Sequence, residues 1–136
     1  MDIYIGLDIG GTKFMVASFD AELNELKRLK YPAPIPFDEG IELLHRSIQE
    51  VAGDNRILGI GAAAGGPLNP VTGVISPLHQ PEWKDIPLKS IMEERWKCPF
   101  NVDVDTNVAA IGEYHLGNYS EKYFLYITLS TGMGGG

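Results

Sequence analysis

The sequence predicts an α/β fold built on a mixed sheet, with three antiparallel strands first, parallel strands after, and helices packed against them. Three observations lead there. Residues Ile3 to Ile9 read I-Y-I-G-L-D-I, apolar at every odd position, and a second apolar run, Phe14 to Phe19, follows a short glycine turn. Ile41, Leu44, Ile48 and Val51 then recur at three- and four-residue spacing, the period of an amphipathic helix. Beyond that helix, apolar strand-like runs alternate with helical ones, which is the pattern of parallel strands joined by right-handed crossovers.

Each element follows in order. The first two strands form a hairpin around Gly10-Gly11-Thr12. A third apolar run, Leu23 to Leu29, completes an antiparallel meander after the polar break Asp20 to Glu22. The segment Y-P-A-P-I-P-F at 31–37 carries three alternating prolines, which excludes helix and suits an extended surface linker. The helix of 38–52 is expected to be capped by Asp38 and ended by Gly53. R-I-L-G-I-G-A-A-A at 56–64 is apolar on both faces, as a central strand parallel to the first should be. Residues 65–87 are rich in Gly, Pro, Asn and Ser and read as a long loop with a small hairpin around Val71 to Ile75. A helix over Leu88 to Trp96, a strand over Phe100 to Val104, a helix over Thr106 to Leu116 with Val108, Ala110 and Ile111 toward a core, and a strand over Tyr123 to Leu129 close the order.

Composition removes several functional classes. The chain has 136 residues, 44% of them hydrophobic and 21% charged, and no stretch approaches the roughly 18 uninterrupted apolar residues of a membrane span. No membrane association is expected. The opening M-D-I-Y-I-G has no basic segment ahead of an apolar one, so a cytoplasmic location is expected. Cys98 stands alone, which excludes an internal disulfide and makes packing its expected role. With a net charge of −7 and scattered lysines and arginines, the footprint of a nucleic-acid binder is missing. A local phosphate site is still compatible, because backbone N–H groups in a glycine turn bind anions without net positive charge.

Such turns are present. Asp8 precedes the pair Gly10-Gly11, and Thr12 and Lys13 follow it, so a carboxylate, backbone N–H groups, a hydroxyl and an ammonium gather at one strand end. That set suits a Mg²⁺-bound polyphosphate, with Asp8 holding the metal through water. The plainer alternative is a hairpin that needs glycines only for a positive φ. It is not the P-loop pattern, since G-x-x-x-x-G-K-[ST] is absent. A second cluster, S-T-G-M-G-G-G at 130–136, also follows a strand, its alternative being an unpacked terminus. Between them lies V-D-V-D-T-N at 102–107. Asp105 could simply cap a helix, but a carboxylate at the carboxyl end of a strand can instead take a hydroxyl proton during group transfer. Of Asp103 and Asp105, the second is nearer the strand end and is the preferred base.

Together these residues resemble the ROK family of repressors, open reading frames and kinases. The resemblance rests on D-I-G-G-T-K at 8–13, G-I-G-A-A-A-G-G-P-L-N-P at 59–70, T-G-V-I-S-P-L-H-Q-P-E-W at 72–83, D-V-D-T-N-V-A-A-I-G-E at 103–113 and S-T-G-M-G-G-G at 130–136. It implies a ribonuclease-H-like lobe of the actin, hexokinase and heat-shock-70 superfamily, and ATP- and Mg-dependent phosphorylation of a hexose or amino sugar. It also implies roles. Asp8, Gly10, Gly11, Thr12 and Lys13 form one phosphate-binding turn, and Thr131, Gly132, Gly134 and Gly135 the other. Asp105 is the catalytic base, and Gly65, Gly66, His79, Val104 and Asp105 line the sugar. This sequence departs from the family's usual E-N-D-A-N, reading Asp103-Val104-Asp105-Thr106-Asn107, so a valine replaces an amide that hydrogen-bonds the sugar. Fructokinase-like members depart similarly, and Glu82 replaces a frequent glycine in the P-G-W loop.

The family's E-x-G-H sugar contact, zinc site and adenosine pocket have no counterpart here, so the expectation is an amino-terminal lobe at 1–118 followed by the first strand and glycine turn of a second lobe at 119–136. Such a chain alone is expected to be inactive, and to self-associate through an apolar edge at Tyr123 to Leu129. The alternative is a non-catalytic, sugar-sensing regulator or sugar binder. A repressor is disfavoured because only seven residues precede Asp8, too few for a helix-turn-helix.

Overall fold

The computed structural model describes residues 1–34, 36–129 and 133–136. Strands β1 (Asp2–Ile9), β2 (Lys13–Phe19) and β3 (Glu25–Pro32) form the expected meander, and helix α1 (Phe37–Ala52) leads into β4 (Arg56–Ala64). A small three-stranded sheet follows, made of β5 (Leu68–Asn69), β6 (Val74–Ile75) and β7 (Ile86–Pro87), with a single 3₁₀ turn at Pro81–Trp83. Helix α2 (Leu88–Trp96), β8 (Phe100–Val104), α3 (Asp105–Leu116), β9 (Ile127–Leu129) and β10 (Met133–Gly135) complete the chain.

The main sheet has the order β3-β2-β1-β4-β8. Its first three strands are antiparallel, and β4 and β8 run parallel to β1, as right-handed crossovers require. One face is the core. Ile3, Ile5, Leu7 and Ile9 of β1, every second residue, are buried against Leu44, Ile48 and Val51 of α1 and Leu88 and Met92 of α2. Trp83, fully buried, seals this layer edge-on to Phe14 and Phe37. A Cβ at Gly40 would overlap the Trp83 ring, so the helix carries a glycine where the indole lies on it. Cys98 packs against the same cluster, as expected.

Several expectations need correction. β3 begins at Glu25 rather than Leu23, because the Asp20 carboxylate accepts the N–H groups of Glu22 and Asn24 and folds Leu23 into a turn at φ 65°. It continues through Tyr31-Pro32, since an edge strand tolerates proline on its free side. Asp38 lies inside the first turn of α1 and makes no cap, whereas Gly53 ends the helix at φ 57° with its N–H donating to the Gln49 carbonyl. The loop hairpin is β5–β6, and β7 joins it as a third strand that its proline concealed. The last strand shortens to Ile127–Leu129 and pairs with β10, so Gly134 and Gly135 are strand residues rather than an open turn. Val108 and Ile111 of α3 remain partly exposed instead of entering a core.

Candidate functional site

The parallel strands β1, β4 and β8 all end on the same edge of the sheet, and their ends carry Asp8, Gly65-Gly66 and Asp103-Val104-Asp105. Ligands of open α/β sheets gather outside such ends. Register places Asp8 opposite Ala63 and Ala63 opposite Asp103, a row on the face away from the core. Against that face, α3 leaves a cavity of about 700 Å³ lined by Asp8, Asp103, Asp105, Met15, Gly61 and Val108 among others. Its size is that of a small-molecule site.

The two β8 carboxylates differ in what they do. Asp103 Oδ1 accepts the Val104 N–H at 2.7 Å and the Asn107 side-chain amide at 3.0 Å, so it is engaged in joining strand to helix. Asp105, exposed, accepts only the N–H of Thr106, at 2.9 Å, among the described hydrogen bonds. It is the carboxylate available for chemistry, and it opens α3 rather than capping it, the N-cap position being Val104. Asn107, named above only as part of the motif, is what holds Asp103; its spacing of four from Asp103 is the local signal for that bond.

Asp8 lies with one side open to water and the other against the cavity wall. That partial desolvation, reinforced by the charge of Asp105 and opposed by Lys30, raises the Asp8 carboxyl above its ordinary value. Two carboxylates facing one cavity are a fit for a cation, and Mg²⁺ characteristically takes one or two carboxylates with the rest of its shell from water and phosphate. No cluster of three or more His, Cys, Asp or Glu able to hold a metal occurs among the described residues, so an all-protein cage is not what this site offers.

The glycine turn proves to be tight for a reason other than φ. Among the described glycines only Gly53 and Gly73 take a positive φ. Gly10 donates its N–H to the Lys13 carbonyl at 3.0 Å, and a Cβ there would lie 2.8 Å from that same oxygen. At Gly11 a Cβ would lie 2.9 Å from His79 Cβ. Close approach, therefore, is what requires both glycines, and the plain positive-φ hairpin is ruled out. The Thr12 carbonyl accepts the Ala33 N–H at 2.9 Å, pinning the turn to the chain leaving β3. Lys13 opens β2, exposed.

The long loop closes over the adjoining strand ends. Leu78 donates to the Gly66 carbonyl at 3.1 Å and Ser76 to that of Pro67 at 2.9 Å, zipping 66–67 to 76–78. A Cβ on Gly66 would meet Val104 Cγ1 at 3.3 Å, and one on Gly65 would be 3.8 Å from Pro77 Cβ. Gly65, Gly66, Val104 and Asp105 are thus neighbours. His79 is set apart from them, exposed beside Gly11 in a separate cleft of about 50 Å³ with Pro34, Gln80 and Glu82.

The second glycine cluster reaches the same place. A Cβ on Gly134 would lie 2.8 Å from Thr106 Cγ2, and one on Gly136 would run into the Thr106 carbonyl and Asn107 amide. β10 therefore lies on the first turn of α3, beside Asp105, while Gly135 faces nothing tight. Thr131 and Gly132 lie outside the described residues. Among the described residues, no helix is long and apolar enough to cross a membrane.

Comparison with known proteins shows the family and the fold. A sequence profile described as ROK family matches residues 4–136. A glucokinase of Streptomyces coelicolor is 33% identical over 137 residues, covering 100% of this chain and 43% of the relative. A fructokinase of Lactococcus lactis is 31% identical over 142 residues, covering 100% of this chain and 47% of the relative. The chain thus spans less than half the length of these relatives. Among solved structures, a ROK glucokinase from Streptomyces griseus in complex with glucose and AMPPNP superposes with a TM-score of 0.83 at 29% identity, over 98% of this chain and 43% of that one. The fold is that of the actin- and hexokinase-like sugar kinases, and by sequence and architecture the chain belongs to the ROK family.

Proposed function

We propose that this chain is the amino-terminal lobe, at 1–118, and the opening of the second lobe, at 119–136, of an ATP-dependent sugar kinase. One observation carries the reading: Asp8 and Asp105, from the ends of different strands, share one cavity next to a glycine turn whose backbone approach excludes any side chain.

In this reading the sugar lies against Gly65, Gly66 and Val104. Asp105 accepts the proton of the attacking hydroxyl as its oxygen bonds to the γ-phosphorus and the bond to the β-phosphate oxygen breaks, leaving ADP. The N–H groups of the Gly10-Gly11 turn and the Lys13 ammonium hold phosphate oxygens, with the motif residues Thr131, Gly132, Gly134 and Gly135 serving the other side. A magnesium ion, when bound, neutralises phosphate charge and orients the chain of phosphates; Asp8 is the residue that would hold it, through water. Positioning supplies most of the catalysis in such transfers, so the 136 residues alone should not turn over.

Val104 presents methyl groups where an amide would bond a sugar hydroxyl, which favours fructose-like acceptors over glucose. The test is a coupled ADP-release assay on a protein in which this lobe is continued to the length of its relatives, with fructose, glucose, mannose and amino sugars. Turnover is expected with one of them, and Asp105→Ala should lower kcat by about 10²- to 10⁴-fold with the melting temperature unchanged. Near-normal kcat in that variant would remove Asp105 as the base, and turnover by the 136-residue chain would remove the need for a second lobe.

A further inference from the structure

The cavity face has an unsolved charge problem. Asp8, Asp103 and Asp105 all line it, and a nucleotide polyphosphate carries several negative charges of its own. Arg28 lines the cavity but is bound to Glu25, and Lys13 stands exposed at the glycine turn. The sheet register supplies another cation. Asp8 lies opposite Met15 on β2, and Met15 lies opposite Lys30 on β3, with no register shift between them. Lys30, Met15, Asp8, Ala63 and Asp103 therefore form one row across all five strands. Alternation puts the whole row on the cavity face: Leu29, the residue before Lys30, is opposite the buried Val16 and packs on the core.

Lys30 also differs from the other cations of its strand. Lys27 is paired with Glu50 of α1 at 3.2 Å, and Arg28 is bound to Glu25. Lys30 has no ion-pair partner among the described residues. It is exposed, two strand spacings or about 10 Å from the Asp8 backbone, a distance its flexible four-carbon stem and a bound phosphate can bridge. Its charge is felt at Asp8, whereas Lys13, nearer in sequence, does not figure among the influences there.

We propose that Lys30 is a second phosphate-binding cation of this site, reaching over Met15 to the polyphosphate from the edge strand while Lys13 holds it from the turn. The proposal rests on the kinase reading of the cavity, and its test separates the two. The probe is magnesium tripolyphosphate, titrated into the 136-residue chain with ¹⁵N- and ¹³C-labelled lysines and backbone amides followed by NMR. The side-chain signals of Lys30 and Lys13 should shift and saturate together with the Gly10 and Gly11 amides, while Lys27 stays still. Lys30→Met should weaken binding about tenfold and flatten its salt dependence, Lys30→Arg should stay within about threefold of the native chain, and Lys27→Met should change nothing. Lys30 is exposed on an edge strand, so Lys30→Met should fold, and the native-chain titration decides the matter in either case. Movement of Gly10 and Gly11 without Lys30 would overturn this assignment and leave the phosphate reading intact. No movement of any of them would overturn both.

Discussion

The two faces of the main sheet are made by the same strands and have opposite characters. On β1, Ile3, Ile5, Leu7 and Ile9 point into a sealed layer, all at 4% exposure or less, while Tyr4, Gly6 and Asp8 point to the other side, where a cavity remains open. The first face is packed with branched and aromatic side chains under α1, α2 and Trp83. The second is lined by glycines and alanines, by Met15, Phe19 and residues of α3, and by three carboxylates and Arg28, and it is left unfilled. The difference teaches that stability and chemistry are carried by alternate residues of single strands, so substitutions one position apart should have unlike consequences.

The sharpest way to break this comparison is at Trp83. Trp83→Ala should cost about 3–5 kcal/mol in urea unfolding, since a fully buried ring joining Phe14, Phe37 and Gly40 would leave a cavity. Trp83→Phe should cost much less, because among the described residues the buried indole N–H has no hydrogen-bond partner and its loss is no penalty. If Trp83→Ala were as stable as the native chain, the core face would not be the source of stability. Next in size is Gly40→Ala, where the added methyl must displace the same ring; about 1–3 kcal/mol of destabilisation is expected in the same measurement.

On the cavity face the expected shift is smaller and of the other sign. Asp8 has its carboxyl raised above 3.8 mainly by desolvation, so ionising it costs the folded state. That cost is absent when pH is below 3.8 and present once pH exceeds the raised folded value. Asp8→Asn should therefore melt slightly higher than the native chain at pH 7 and at the same temperature at low pH, while losing magnesium-dependent phosphate binding. A lower melting point at pH 7 would show Asp8 to be a structural anchor. Smallest of all should be His79→Ala, which removes an exposed ring from the cleft beside Gly11 and should leave the melting temperature within about 1 °C.

Much of this was legible in the residues themselves. The period-two runs of β1, β2 and β4 and the helical spacing of α1 are local patterns, and each element formed where its pattern lies. Elements governed by distant neighbours were harder to read. β7 is two residues ending in a proline, and only pairing with β6 makes it a strand. Tyr123 to Tyr126 have strand-like side chains, yet the strand spans only Ile127–Leu129, paired with β10, with Tyr126 exchanging backbone hydrogen bonds with Gly136 just beyond it. For the site, Asp8, Gly10, Gly11 and Asp105 were visible as motifs, but their meaning changed. The plainer alternative for the glycines, a turn that needs positive φ, gives way to close contact with Lys13 and with His79.

By itself, then, the sequence determined the kinds of element, their order, the parallel arrangement that brings β1, β4 and β8 to one edge, and the glycine and carboxylate residues waiting there. These depend on alternation, periodicity and turn chemistry, which act over a few residues. Tertiary structure alone decided that Asp103 is bound into the helix junction while Asp105 is left available, that β10 lies on α3, and that Lys30 shares a row with Asp8. Those are matters of register and close packing between segments far apart in the chain, where a slip of one residue would turn every side chain to the opposite face.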